Sequence, residues 1–298
     1  MKKLLSAVLS AAMIGTLLTG CGSGSSETQE TAAPEQTEAA SGDSQASEEG
    51  EDAAAGEGND ALNIAIVSSP SGVDDGSFNE DNYNGILAFI EDHPDSKVTP
   101  VREETGDTAA AVQAVADIVA DYDVIVCCGY QFAAIGSVAT DNPDVNFILV
   151  DSYPTDAEGN EVTCDNIYAM TFAEQEGGFF AGMAAALESQ SKKVAVVNGI
   201  AYPTNVNYQY GFEAGVNYAN AKYDTGVEIV ELPSYAGTDV TNNNVGGNYV
   251  GSFADEATGK VVGKALIDEG CDIIFVAAGG SGNGVFTAGK EAQGGKGI

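Results

Sequence analysis

Two spacings of apolar residues alternate along the chain from about Ala61. Apolar strand-like runs, several of them near-continuous, fall at Leu62–Ser69, Val98–Arg102, Asp123–Cys128, Val145–Asp151, Ile167–Phe172, Val194–Asn198, Val227–Leu232 and Asp272–Ala278. Between most of them lie stretches with apolar residues three and four positions apart: Asn79–Asp92, Ala109–Ala120, Ala133–Asp141, Glu174–Glu188, Val206–Ala219 and Asp255–Glu269. The first spacing predicts strands and the second helices. Strands that alternate with helices of this length build βαβ units around a parallel sheet, and near-continuous apolar runs suit strands covered on both faces. The pattern predicts an α/β fold.

The segment Ser69-Pro70-Ser71-Gly72-Val73-Asp74-Asp75-Gly76-Ser77-Phe78-Asn79-Glu80 joins the first strand to the first helix. Ser77 with Glu80 fits a capping box, as does Thr171 with Glu174, so each marks a helix start. Beyond Ser77, Tyr83, Leu87 and Ile90 fall on one face. Asp74, Asp75, Phe78 and Asn79 therefore sit at a strand's carboxyl end and a helix's first turn, the edge where open α/β sheets bind ligands.

The chain of 298 residues has 45 acids against 11 basic residues, a net charge of −34. Such a surface repels nucleic acid and anionic membranes, so no nucleic-acid partner is expected. Eleven of the acids fall between residues 22 and 60, so the rest of the chain is acidic in its own right. Residues 22–60 hold no Lys, Arg or aromatic residue and too little apolar surface to offset ordering entropy, so residues 21–60 read as a disordered acidic tether. Residues 1–20 read as a signal peptide. Lys2 and Lys3 precede an apolar stretch, Leu4–Leu18, that is short for a bilayer span. Leu18-Thr19-Gly20-Cys21 resembles a bacterial lipobox, which would make Cys21 the lipidated first residue of the mature protein. A plain secretory signal and an uncleaved anchor are the other readings. A lipidated Cys21 would hold the protein on the extracytoplasmic face of the cell membrane.

The remaining cysteines, Cys127, Cys128, Cys164 and Cys271, form no C-x-x-C pair. Cys127 and Cys128 are adjacent in a strand, face opposite sides, and read as buried free thiols; a disulfide to Cys164 stays open. The single histidine, His93, precedes Pro94 in a turn, which leaves no Ser-His-Asp set and no His/Cys metal site. Gly284 with Gly289-Lys290 matches part of a phosphate loop, but Glu291 stands where Ser or Thr is required. Gly280 and Gly282 match part of a dinucleotide motif, but Val285 stands at the third glycine. The glycines after the last strand let a ligand approach the backbone, or simply turn the chain. Adjacent carboxylates such as Asp74 and Asp75 suit hydroxyl recognition better than acid–base work. No enzyme activity, catalytic residue, cofactor or metal is expected.

Six segments, VDDGSFNEDNYNGI, FILVDS, MTFAEQEGGFFAGMAAAL, YGFEAGVNYAN, YVGSFADEATGK and FVAAGGSGNGVFTAGKE, together resemble the basic membrane protein family of substrate-binding lipoproteins. They run in order from Leu62 to about Lys290. The resemblance implies a type I periplasmic-binding-protein fold: two Rossmann-like lobes with a hinge, here 61–190 with the crossover and 191–298. It implies a small-molecule ligand, a purine nucleoside in relatives similar to the treponemal receptor, and an ABC transporter permease as partner. It implies that Phe78 and Phe253 clamp a base, with Asp75 and Asn79 beside Phe78, and that Asp151 contacts the base edge. The turn with Gly280, Ser281 and Gly282 would lie by the ribose. Tyr130 and Gln131 follow the glycine that ends the third strand. Ser69 stands where relatives often carry a ribose-binding aspartate. Relatives also continue beyond the position of Ile298, so the second lobe is expected to be incomplete, with three strands and an open sheet edge. A sugar or polyol receptor and a surface sensor or adhesin are the alternatives.

Overall fold

The computed structural model describes residues 61–293. Cys21, the signal peptide and the tether lie outside the described residues.

The first sheet has five parallel strands: β1 (Asn63–Ser68), β2 (Lys97–Arg102), β3 (Val124–Cys128), β4 (Asn146–Val150) and β5 (Ile167–Met170), in the order β2-β1-β3-β4-β5. Ile64–Ser68 of β1 are buried because helices cover both faces. On one face Phe132, Ile135 and Ala139 pack with Ala111 and Val115 of α2 (Thr108–Ile118) over Ala65, Val67, Ile125 and Cys127. On the other, Phe78, Tyr83 and Ile86 of α1 (Phe78–Asp92) cover Ile64, Ile66, Val126 and Cys128. Cys127 and Cys128 thus bury on opposite faces, as their alternation requires. The four described cysteines are free. Ile86 takes the core-facing place that the spacing gives to Leu87, which is exposed. His93 lies exposed at the end of α1, its ring stacked on Phe89 at 4.0 Å.

The segment after β3 opens with a 3₁₀ turn, Tyr130–Ile135, before α3 (Gly136–Asp141). The chain crosses over after β5. The sequence groups α4 (Glu174–Glu188) with the first lobe, but its packing is with the second. Ala185 and Ala186 join Phe212, Val216 and Ala219 of α5 (Pro203–Tyr223) over Val194 and Val196 of β6 (Lys193–Asn198).

The second sheet is parallel, with β10 (Ile273–Ala277) and β7 (Glu228–Ile229) flanking β6. α6 (Glu256–Asp268) and α7 (Ser281–Ala292) cover its other face through Val262, Leu266 and Val285. β7 is shorter than its apolar run, Val227–Leu232, predicts. Asn248 replaces strand pairing there: its side-chain amide donates to the carbonyls of Val196 and Val230, both at 3.0 Å, and its oxygen accepts from the Leu232 N–H at 2.8 Å. A small hairpin, β8 (Gly237–Thr238) and β9 (Asn244–Gly246), lies outside both sheets.

The first sheet has a switch point, where connections leave two neighbouring strands in opposite directions, between β1 and β3; in the second, β6 lies between β10 and β7. Ligand crevices form outside the carboxyl ends of strands at such points.

Candidate functional site

The loop from Ser69 to Phe78 is organised by one carboxylate. Asp75 Oδ1 accepts from the N–H groups of Ser77 (3.0 Å) and Glu80 (3.1 Å). Its Oδ2 accepts from the Asn79 side chain at 2.8 Å and from the Ser71 hydroxyl at 3.3 Å. The capping box expected at Ser77 is therefore not formed. The Ser77 side chain makes no cap hydrogen bond, Asp75 supplies the acceptor two residues earlier, and Glu80 reaches back to the Gly76 N–H at 2.8 Å. The second expected box fails as well, because α4 starts at Glu174 and Thr171 lies outside it. Asn79 is buried, and its side-chain nitrogen also donates to Ser69 (2.9 Å) and Ser71 (3.1 Å). Its Oδ1 is buried without a hydrogen-bond partner among the described residues.

Around this loop lies a cavity of about 490 Å³, walled by the carboxyl ends of strands from both sheets. From the first sheet come Ser69, Asp75, Phe78 and Asn79 after β1, Tyr130 and Gln131 after β3, and Asp151 after β4. The Gln131 side chain donates to the Cys128 carbonyl at 2.8 Å. Gly129, at φ 110°, leaves room for it, since a Cβ there would stand 2.6 Å from Gln131 Oε1. Asp151 has a left-handed backbone at φ 66°, tied by its N–H to the Met170 carbonyl at 2.8 Å. Its carboxylate accepts no hydrogen bond among the described residues. Burial, and then the charge of Glu174, push its pKa up to about 6.

The second sheet contributes Tyr202 after β6, Phe253, and Gly279 and Gly282 after β10. Phe253 seats its ring against Gly199, where any Cβ would collide with it, and against Gly279. Tyr202 stands between Tyr130 of the first sheet (ring centroids 4.9 Å) and Phe253 (6.0 Å). The Asn283 side chain donates to the Asp75 carbonyl at 3.1 Å, a second contact across the cleft.

Nine of the eleven ligand positions expected from sequence thus share one wall system. Gly280 and Ser281 do not line it. Ser281 is fully buried. Its hydroxyl donates to the Ser252 carbonyl and accepts from the Asp255 N–H, both at 2.8 Å, and its N–H donates to the Phe253 carbonyl at 3.0 Å. It holds the Phe253 loop in place. The sequence reading missed Tyr202 and Glu174. Tyr202 follows a strand and precedes the proline that opens α5, so the carboxyl-edge rule used for β1 would have found it. Glu174 was absorbed into a capping pattern.

Among the described residues, no Lys, Arg or His lines the cavity. The polar atoms left unbonded include the acceptors Asn79 Oδ1 and both oxygens of Asp151, beside the hydroxyls of Tyr130, Tyr202, Thr204 and Tyr208. With the aromatic walls, this chemistry suits a neutral ligand with flat apolar faces and several donors, and repels phosphate.

A family model described as "ABC transporter substrate-binding protein PnrA-like" matches residues 62–241 and 235–296. "ABC transporter nucleoside-binding protein BmpA" of Lactococcus lactis is 28% identical over 244 residues, 79% of this chain and 60% of that protein. "Basic membrane protein A1" of Borrelia garinii is 32% identical over 221 residues, 73% of this chain and 57% of that protein. The chain thus spans about three-fifths of the length of these relatives. Among solved structures, a solute-binding protein of an ABC transporter system from Aeropyrum pernix aligns with a TM-score of 0.64 at 23% identity, over 78% of this chain and 59% of that one. One from Conexibacter woesei aligns with a TM-score of 0.52 at 22% identity, over 79% and 68%. The two parallel sheets facing one cleft are the type I periplasmic-binding-protein fold. With the family model matching along nearly the whole described region, the chain belongs to the PnrA-like family of ABC transporter substrate-binding proteins.

Proposed function

We propose that the protein is a lipid-anchored, extracytoplasmic receptor that binds a purine nucleoside and delivers it to the permease of an ABC importer. The observation that carries this reading is the cavity. It has the volume of a small-molecule site, aromatic residues on walls from both sheets, unbonded acceptors, and no cation among the described lining residues. Phe78 and Phe253 stand on walls from opposite sheets, where they would flank a base. Asp151 would accept from its edge, and Asn79 Oδ1 from a ribose hydroxyl. The nucleoside named for the Lactococcus relative supports the ligand class.

Mass spectrometry of ligand released from the purified full chain tests it. A purine nucleoside is the expected species; release of a sugar alone would overturn the reading. Anchorage is tested separately at Cys21. A fatty-acid analogue should label the wild type and not Cys21→Ala, and equal labelling of both would remove the lipid anchor from the proposal.

A further inference from the structure

We propose that Glu174 is a specificity-determining residue, which with Asp151 forms a two-carboxylate wall that selects a base whose edge carries adjacent donors, as guanine's does. The inference rests on the nucleoside reading of the cavity and goes beyond it, because it chooses among the bases.

Glu174 is the first residue of α4 and lines the cavity although only 6% of it is exposed. One oxygen, Oε2, accepts from the Asn207 side chain at 3.2 Å. Its other oxygen has no hydrogen-bond partner among the described residues. A carboxylate oxygen on a cavity wall with no protein donor is open to a donor brought by a ligand. Asp151, half-buried on the same wall, has no protein donor on either oxygen among the described residues. The two side chains are close enough to act on each other and on the Tyr208 phenol, which burial first and then Asp151 and Glu174 push up. The lining residues offer no Lys, Arg or His to neutralise the pair.

Two carboxylates lining one cavity present acceptors only. Guanine turns two adjacent donors, N1–H and the 2-amino group, to one side. Hypoxanthine has the N1–H alone. Adenine puts its N1 acceptor beside its amino group, and a lone pair facing a carboxylate is repulsive. The wall therefore ranks guanosine above inosine and inosine above adenosine. Asp75 contributes nothing to this edge, because its oxygens are taken by the helix start and by Asn79.

The test is calorimetric titration of the full chain at pH 8 with guanosine, inosine and adenosine, for the wild type, Glu174→Gln and Glu174→Asp. Glutamine can still accept from Asn207, so the fold contact survives. The wild type should follow the ranking above. Glu174→Gln should shrink the guanosine-over-adenosine preference roughly tenfold, the size of losing one good contact to a base edge, and Glu174→Asp should restore part of it. A purely structural role for Glu174 would weaken all three ligands alike. That result, or an unchanged preference in Glu174→Gln, overturns the proposal while leaving the nucleoside reading standing. If no nucleoside binds and a polyol does, the nucleoside reading falls, and this inference falls with it.

Discussion

Asp151 is held in a left-handed conformation, with its charge half-buried and no partner. Backbone of that kind costs on the order of 1–3 kcal/mol and is stored at functional sites, although aspartate tolerates it better than most residues. Its folded pKa of about 6 lies above the ordinary aspartate value of about 3.9. The group therefore contributes stability that is fully present below about pH 3.9 and is lost as pH rises through about 6. Asp151→Asn removes the charge and still tolerates the backbone. In ligand-free protein it should raise the melting temperature at pH 8 and lose that advantage by pH 4, as differential scanning calorimetry would show. The same variant should bind ligand more weakly, so that stability and affinity move in opposite directions. An equal melting shift at both pH values would mean that the charge is not the source of the strain. Phe78 packs on the first core and also lines the cavity. Phe78→Ala should weaken nucleoside binding by roughly 1–3 kcal/mol, the worth of a stacking face, measured by calorimetry on protein shown to be folded. Unchanged affinity would remove Phe78 from the clamp.

At the level of elements, the start of α1 depends on Asp75 where the local pattern points to Ser77. Asp75→Ala should cost about 1 kcal/mol as a lost cap, and should leave the amide of Asn79 seeking another acceptor. Faster hydrogen exchange confined to residues 77–80 is the expected signature; protection unchanged there would return the cap to Ser77. The elements themselves were largely legible. Each of the eight apolar runs overlaps an observed strand, most legibly in β1, β3 and β6, where burial on both faces writes a parallel strand as continuous apolar sequence. What could not be read came from contacts distant in the chain. Asn248 shortens β7 from sixteen residues past Leu232. α4 carries small residues where α5 lies against it, and nothing local says which sheet it covers. Gly280 and Ser281 looked like ligand-side residues because glycine-rich turns after strands often are, yet Ser281 serves the loop of Phe253. The hairpin at 237–246 carried a signal that was passed over, the Asn-rich turn between Thr241 and Asn244.

On the scale of the whole molecule, two sheets bring the carboxyl ends of their strands to one cavity, and the described residues join them through Asn283 to the Asp75 carbonyl and through Tyr130 against Tyr202. The loop that organises the first wall is therefore also where the second lobe touches it. Charge acts at this scale too. A chain of net charge −34 with no cation among the described residues lining the cavity should reject phosphorylated ligands. Guanosine 5′-monophosphate should bind at least about 100-fold more weakly than guanosine at low ionic strength, a gap of the order expected for an unpaired phosphate near acidic groups. The gap should narrow as salt is added. Equal binding of the two would require a cation that the described lining residues do not supply.

The arrangement of sulfur has a practical use. Cys127 and Cys128 are closed in on opposite faces of the first sheet, and burial pushes both thiols well above their ordinary range; Cys271 is buried, with its thiol pushed up to about 11. Thiolate is the reactive form, so a maleimide dye at pH 7 should spare all three. Cys164 is half-exposed, beside the Gly136 carbonyl and the Thr140 hydroxyl, and stands on the first lobe away from the cavity wall. Among the described cysteines it is the natural attachment point for a fluorophore. Paired with a second probe engineered into α6, it would let the distance between the lobes be followed by energy transfer as ligand is added, with no native cysteine having to be removed from the core.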